Sequence, residues 1–584
     1  LETAHLGHNF IYVPVVDIGR NPRWPRFYET FGESFLLCSQ MGAAIVNGIQ
    51  TNKEVLPYKT AACAKHFIGY SDPKSGWDRS PASIPEQELY EFYVPSFQAC
   101  IDAGVKIIEA NSGEVNGVPV HASHKLLTTL LRDKMGFKGV LNSDWEDLKK
   151  LVNYHGVAEN EKEATYLGLI AGLDCILTPE DCLFAQYACE LVREGRIPEE
   201  RLDLSVKRIL RLKYDLGLFD GNFRTEDVIA QRMNRTDAEE HAINAARESI
   251  VLLKNEKGIL PLNPAKVSKI VVAGPNANSR SAICGAWTAG WSDVRDEYIP
   301  ERVPTVYKAL QTMYPNSKIE SVNDISQLKG LSKGADAIIY VAGERPYAEY
   351  YGSVTDLTLP DIQIEEISQT LATGIPVIVV MLAGRPRVVS KIYERLAGFI
   401  WAGLPGYSGG TAIAEIIAGK VNPSGKLPFE YPQGASSYVN YNRKRHEEVM
   451  RNVLQMPVSM ASFGDGLSYT KFSYKNLNIS DTLITDINQC VNVTVEVTNE
   501  GNSAGKESVL WYITDHHGSF TRPVRELKYF EKQLFQPGET KKLSFKIIPG
   551  KHLAYPDEQG NYRIENGSFS VWAGGLEANI NVKK

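Results

Sequence analysis

The feature that most constrains this chain is a repeat across residues 1–218. Short apolar runs, each ending in a polar or charged residue, alternate with segments of helical period. Residues 10–16 run into Asp17, 60–64 into Lys65-His66, 105–110 into Asn111, and 139–142 into Ser143-Asp144, with Cys175–Leu177 a further run. Between them, 34–49, 86–103, 123–135 and Glu161–Ala171 read as helices; Pro95 should kink the second, and Pro198 opens another bearing Val206, Ile209 and Leu210. Strands separated by helices must pair in parallel, with the helices outside the sheet. Polar residues gathered just past the strands favour a TIM-type (β/α) barrel, whose chemistry sits on that rim. A full barrel needs about eight strands and about 250 residues. Only about five strands are readable here, so 1–218 is expected to be a partial barrel lacking its first strands.

The rest of the chain changes character twice. Residues 219–265 read as a linker, polar and irregular over 221–235, followed by a helix over 238–253. A second β-α series occupies 266–430, with strands at 270–273, 337–342, Val377–Leu382 and 399–402, each running into a glycine-containing turn such as Gly343-Glu344 or Gly384-Arg385. This predicts an open α/β sheet whose ligand contacts lie beyond the strand ends. Gly406-Tyr407-Ser408-Gly409-Gly410 lacks the Lys-Ser/Thr of a phosphate loop and reads as a close-packed strand–helix turn. After a connecting segment, 431–467, the period falls to two over 468–584, at 491–497, 507–513, 541–548 and 568–572, which reads as a small β-sandwich.

A net charge of -6 argues against nucleic acid as a partner, and no apolar run reaches the ~20 residues that span a membrane. The 28 Tyr, 20 Phe and 8 Trp suit carbohydrate binding as well as an ordinary core. The 8 Cys show no C-x-x-C spacing, so neither a metal centre nor a disulfide frame is expected; Cys38, Cys100 and Cys189 read as buried thiols. N-x-S/T tripeptides at Asn234, Asn478, Asn492 and Asn566 tilt towards a secretory route. The chain starts at Leu1 without a visible signal segment and reads as a processed or truncated product.

The chemistry is suggested by Asn142-Ser143-Asp144-Trp145, where a carboxylate and a large aromatic end a short strand. Asp144 can attack a sugar and Trp145 can stack on its face. On residues alone the plainer readings stand beside this one. Asp144 can be a turn or cap residue. Lys65 and His66 can be a rim ion pair and a satisfied core histidine, and Arg26 can pair with Glu29 or Asp17. Trp287 and Trp291, four apart, can pack in a core, and Glu349 can be ordinary surface.

The motifs together, in order, resemble glycoside hydrolase family 3, of the β-glucosidase and exo-β-glucanase type. They are Asn21-Pro22-Arg23-Trp24-Pro25-Arg26, Lys65-His66-Phe67, Asn116-Gly117-Val118, Ser143-Asp144-Trp145, Gly172-Leu173-Asp174, Leu252-Leu253-Lys254-Asn255, Gly285-Ala286-Trp287, Gly343-Glu344, Gly384-Arg385-Pro386, Gly425-Lys426-Leu427-Pro428 and Phe463-Gly464-Asp465-Gly466-Leu467-Ser468-Tyr469. The resemblance implies a barrel, an α/β sandwich and a fibronectin type III-like β-sandwich. It implies an exo-acting retaining β-glucosidase with no cofactor and no metal, acting on a β-glucoside or oligosaccharide. Asp144 would be the nucleophile and Glu349 the acid/base, with Glu344 its rival. Arg26, Lys65 and His66 would hold sugar hydroxyls, and Trp145 and Trp291 would flank the next subsite. Retention needs the two carboxyl groups ~5–5.5 Å apart, one ionised and one protonated, which places the expected site where two domains meet.

Two departures matter. The family's first barrel strands, with an Asp that grips the terminal sugar, have no counterpart, and the tyrosine many members carry near position 112 is replaced by Ser112. The N-acetylglucosaminidase branch is set aside because Lys65-His66-Phe67-Ile68-Gly69-Tyr70 lacks its second histidine. The competing expectations are an inactive carbohydrate-binding fragment, a β-xylosidase and a β-glucan exohydrolase. A secreted, periplasmic or lysosomal glycoprotein, with homo-oligomerisation allowed, completes the reading.

Overall fold

The structure, a computed structural model, describes residues 2–51, 59–221, 236–322, 324–434, 436–455 and 459–583. The linker read at 221–235, beyond Gly221, and the sequon at Asn234 lie outside the described residues. The chain forms two compact units, Leu1–Arg235 with Pro556–Asn561, and Thr236–Tyr555 with Tyr562–Lys584.

In the first unit five strands pair in parallel in the order in which the chain makes them. They are β1 (Phe10–Ile11), β2 (Ala61–Phe67), β3 (Ile107–Ala110), β4 (Val140–Trp145) and β5 (Cys175–Leu177). Sequential parallel order with a helical return between neighbours is the topology of a half-barrel. Among the described residues β1 and β5 are paired on one side only. The helix Phe35–Gln50 starts where Ser34 Oγ accepts the Leu37 N–H, and Glu161–Ala171 where Asn160 accepts that of Glu163. Pro95 lacks the donor an α-helix needs there. The helical turns widen to i→i+5 bonding over Leu89–Tyr93, just before the run Val94–Asp102 that contains it.

Side chains alternate across the sheet, as strand geometry requires. Ala62, Ala64, Ile108 and Leu141 face the helices and pack with Val46, Phe97, Leu127 and Leu173. Ala61, Cys63, Ile107 and Val140 face the opposite way, against Leu216 from the end of the helix Glu199–Asp215. Asp174 ties these parts together. Its Oδ2 accepts from Arg132 Nη2 (2.6 Å) and the Leu141 N–H (3.0 Å), and its Oδ1 from Ser205 (2.7 Å) and Arg208 (2.8 Å).

The second unit carries a six-stranded sheet made of β6 (Val251–Asn255), β7 (Lys269–Ala273), β8 (Lys318–Ser321), β9 (Ala337–Gly343), β10 (Val377–Leu382) and β11 (Gly398–Trp401). Their order is β8-β7-β9-β10-β11-β6, parallel except for β6. The helix expected over 238–253 is Thr236–Ser249, and the residues just after it are strand β6. The apolar run from Val251 satisfies its backbone by antiparallel pairing with β11 rather than by continuing the helix. Gly343 lets the chain turn over β10, since a Cβ there would stand 1.8 Å from Leu382 O. Gly410 is as confined, with Pro304 O 2.2 Å from a built Cβ, which agrees with a close-packed turn. A β-sandwich completes the unit, with a three-stranded sheet (Phe472–Ile479, Val491–Asn499, Thr540–Ile547) and a five-stranded sheet that includes Gly505–Asp515, Glu526–Phe535, Gly567–Ala573 and Leu576–Val582. Val491, Val493, Val495 and Val497 bury alternate positions around Trp511.

All eight cysteines are free thiols. Cys38 and Cys100 are buried, but Cys189 is exposed. It lies on the outward face of the helix Leu183–Arg193, whose Ala188 and Leu191 point inward. Trp287 and Trp291 belong to no core, at 52% and 41% exposure. Among the described residues no helix is long and apolar enough to cross a membrane.

Candidate active site

The C-terminal ends of β2, β3 and β4 bring together most of the residues singled out in the first unit. Asp144 lies near the end of β4, where Oδ1 accepts the Trp145 N–H at 2.6 Å while Oδ2 is buried and accepts no hydrogen bond. Burial is the largest influence on this carboxyl and would raise its pKa. The positive charges of Lys150, Arg79, Arg26 and Lys65 outweigh it and hold the group below the usual carboxylate range. A desolvated, ionised carboxylate with an unused oxygen is chemically a nucleophile or a cation stabiliser.

The backbone under Asp144 is held by side chains outside the sequence motifs. The Asp144 N–H donates to His121 Nε2 (3.1 Å), and His121 Nδ1 stands 3.2 Å from Asp147 Oδ2. Nε2 is therefore an acceptor and the proton sits on Nδ1. Burial lowers the His121 pKa despite Asp147 and keeps the ring neutral. Asp147 Oδ1 accepts from Ser112 Oγ (2.9 Å) and pairs with Lys150. Ser112 accepts from Arg79 Nε at 3.1 Å, and Asp78 binds both Arg79 and the Tyr70 hydroxyl. Ser112, in place of the family tyrosine, is thus a node joining Arg79 to Asp147. Arg79 and Glu146 have left-handed backbones, φ 59° and 58°. Such conformations cost energy in non-glycine residues and gather at functional sites. Asp147, three residues after Asp144, is a readable signal in the sequence; His121, 23 residues upstream, is not.

Of the three expected sugar-binding residues, Arg26 and Lys65 act on the Asp144 carboxylate through their charges, and each of the three also has a partner. Arg26 is buried and forks onto Glu29, with Nε–Oε1 at 2.8 Å and Nη2–Oε2 at 2.7 Å. His66 is buried, with Nδ1 2.9 Å from Asp17 Oδ2. Burial, with Arg26 and Lys65, holds the His66 ring far below its ordinary pKa, so it is neutral, and its buried Nε2 has no hydrogen-bond partner. Burial also pushes Asp17 up to about 7. Lys65 Nζ is 3.5 Å from Glu109 Oε2 and lies over the Tyr12 ring. Glu109 is hidden inside an apolar strand, although a lone acid in such a run is itself a signal. Trp145 is 56% exposed, as a stacking platform must be.

In the second unit the two glutamates of the tyrosine-rich segment are in different states. Glu344 lies just past β9 and pairs with Arg385 Nε (3.1 Å) and Arg387 Nη1 (3.3 Å), and accepts from the Tyr347 hydroxyl (3.0 Å). Glu349 opens the turn Glu349–Gly352 with a left-handed backbone, φ 49°. The Ala348 N–H donates to Ser292 Oγ (3.0 Å), which ties this turn to the Trp291 segment. The exposed rings of Trp291, Tyr350 and Tyr351 lie together, with centroids 4.5–5.9 Å apart.

The chain matches the glycosyl hydrolase family 3 N-terminal domain over residues 1–212, that family's C-terminal domain over 250–469, and a fibronectin type III-like domain over 507–576. It is 36% identical to a lysosomal beta glucosidase of Dictyostelium discoideum, over 99% of this chain and 74% of that protein. A periplasmic beta-glucosidase of Salmonella typhimurium is 31% identical (98% and 79% covered), and a beta-xylosidase of Formosa agariphila 32% (97% and 82%). Among solved structures, a mutant beta-glucosidase of Listeria innocua in complex with laminaribiose superposes with a TM-score of 0.92 at 30% identity, covering 100% of this chain and 83% of that one.

Proposed function

The chain belongs to glycosyl hydrolase family 3, and from that premise we propose that it is an exo-acting retaining β-glucosidase working by double displacement. It is a glycosidase by family. The observation that carries the finer reading is the half-buried Asp144 carboxylate, kept ionised by four cations, with its buried Oδ2 unengaged. In the first step Asp144 attacks the anomeric carbon and forms a glycosyl ester. Glu349 gives its proton to the departing glycosidic oxygen. In the second step Glu349 takes a proton from water, whose oxygen attacks the same carbon and releases Asp144. The strained backbone at Glu349 supports its role over Glu344, whose oxygens are occupied by two arginines and a tyrosine. Arg26, Lys65 and His66 bind hydroxyls of the non-reducing sugar, with His66 Nε2 the acceptor, and Trp145 and Trp291 stack on the following unit.

A 2-deoxy-2-fluoro-β-glucoside should leave a covalent adduct on the peptide that contains Asp144, seen by mass spectrometry and absent in Asp144→Ala. An adduct on any other carboxylate overturns the assignment. Glu349→Ala should keep far more activity on a dinitrophenyl glucoside, which needs no proton, than on a disaccharide. Equal losses would return the role to Glu344. The Formosa beta-xylosidase supports a second reading, β-xyloside hydrolysis, which a higher kcat/KM on the aryl xyloside than on the aryl glucoside would establish. An exported glycoprotein is proposed from the lysosomal and periplasmic relatives and from Asn478, Asn492 and Asn566, all three exposed. Absence of glycans at all three after eukaryotic secretion would remove the glycoprotein part.

A further inference from the structure

Lys65, Glu109 and Asn142 form a row across three strands on the inner face of the half-barrel. Glu109 pairs with Asn142, and Lys65, just past the last regular pair Ala64–Ile108 before the register of β2 and β3 shifts, brings its ammonium to Glu109. Glu109 is 3% exposed, and its Oε2 accepts no hydrogen bond, with the Lys65 ammonium 3.5 Å away. A buried carboxylate in an ordinary ion pair is expected to have its oxygens satisfied. This one is not, and Asp144, a second acid that the proposed chemistry needs ionised, lies two residues beyond Asn142.

We propose that Glu109 is a positioning residue for Lys65: its carboxyl anchors the ammonium on the inner face without carrying charge of its own, so that Lys65 keeps its full field for Asp144 and for a sugar hydroxyl. The inference rests on the glycosidase reading. The groups facing Glu109 are Lys65 and Cys63 on β2, Tyr12 beyond β1, Asp144 on β4, and Arg26. Burial pushes the Cys63 thiol and the Tyr12 phenol far up, so both are neutral. Arg26 is forked onto Glu29. Lys65 is the cation in an ion pair with Glu109 and also acts on Asp144, so a second anion beside it in a dry site is costly. Burial, with the Asp144 charge adding to it, raises Glu109 to about 8 against the pull of Lys65. Above that pH the ionised carboxyl cancels Lys65 and sugar binding falls.

The test is calorimetric titration with methyl β-thioglucoside, which is not hydrolysed, between pH 7 and pH 9. If only the neutral form of Glu109 supports binding, a group titrating at about 8 weakens the wild-type affinity about tenfold over that range. Glu109→Gln, which cannot ionise, should change by less than about twofold. Asp17, which titrates lower, is present in both proteins and does not produce the difference. Infrared titration should show more protonated carboxylic acid at pH 8 in the wild type than in Glu109→Gln, the Asp17 contribution being common to both. A wild-type affinity that is flat over this range, or a tenfold loss that survives in Glu109→Gln, or no more protonated acid at pH 8 in the wild type than in Glu109→Gln, overturns the proposal. If neither protein binds the thioglucoside at any pH, the sugar-binding reading falls first and the proposal with it.

Discussion

Asp174→Ala should be among the most damaging single substitutions in the first unit. The side chain of Asp174 has no exposure, and it receives Arg132, Leu141 N–H, Ser205 and Arg208. Arg132 is itself buried, and even with Asp174 beside it burial draws its pKa down to about 10. Removing one member of a buried pair costs about 3–5 kcal/mol, because the other charge stays in a dry site. The stranded Leu141 N–H adds about 1–3 kcal/mol. Such terms overlap, so about 4–6 kcal/mol is expected in all. For a unit of this size that lowers the thermal midpoint by roughly 8–24 °C. Arg208→Ala removes a partner that is one-quarter exposed, and should cost about 1 kcal/mol. Asp174→Asn keeps an acceptor for Leu141 and should fall between the two. Scanning calorimetry on the four proteins measures the order directly. If Asp174→Ala melts within about 3 °C of Arg208→Ala, the buried hub is not what holds β4 and β5 to the helix Glu199–Asp215.

Three further outcomes are expected. Lys150→Met removes the cation that most lowers the Asp144 pKa. A depressed carboxyl is ionised above its folded pKa and loses activity as pH falls through it, so the acid limb of kcat/KM should move to higher pH; an unmoved limb excludes Asp144 as the group titrating there. Gly410→Ala places a methyl against Pro304 O and should destabilise the second unit by about 1–3 kcal/mol, read as a lower denaturant midpoint with an unchanged slope. Glu344→Gln loosens Arg385 and Arg387 and should lower the melting temperature of the second unit, whereas Glu349→Gln should lower activity on a disaccharide.

Much of this protein is legible in its sequence because the relevant forces are local. Short continuous apolar runs mark β2 and β10, and period-two alternation, which depends only on which face a side chain takes, marks the valine-rich strand Val491–Asn499. The carboxylate after Ser143 stands out because it is an acid closing an apolar run, at the strand end where chemistry gathers. The features that escape a sequence reading have the opposite character. β8, with mostly half-buried residues, has no strong pattern, and β6 is a strand only because β11 lies beside it. Cys189 has the neighbours of a buried thiol and the wrong face of its helix. His121 under Asp144, Arg132 and Arg208 on Asp174, and Lys65 beside Glu109 join residues 23 to 44 positions apart. The sequence by itself determined the alternation of elements, the order of the motifs and the acid at the end of β4. Only tertiary structure decided which charges that acid feels, which glutamate is spent on arginines, and which buried carboxyl oxygens stay without a hydrogen bond. Burial and Coulomb energies depend on distances in space, and those arise when the strands pair.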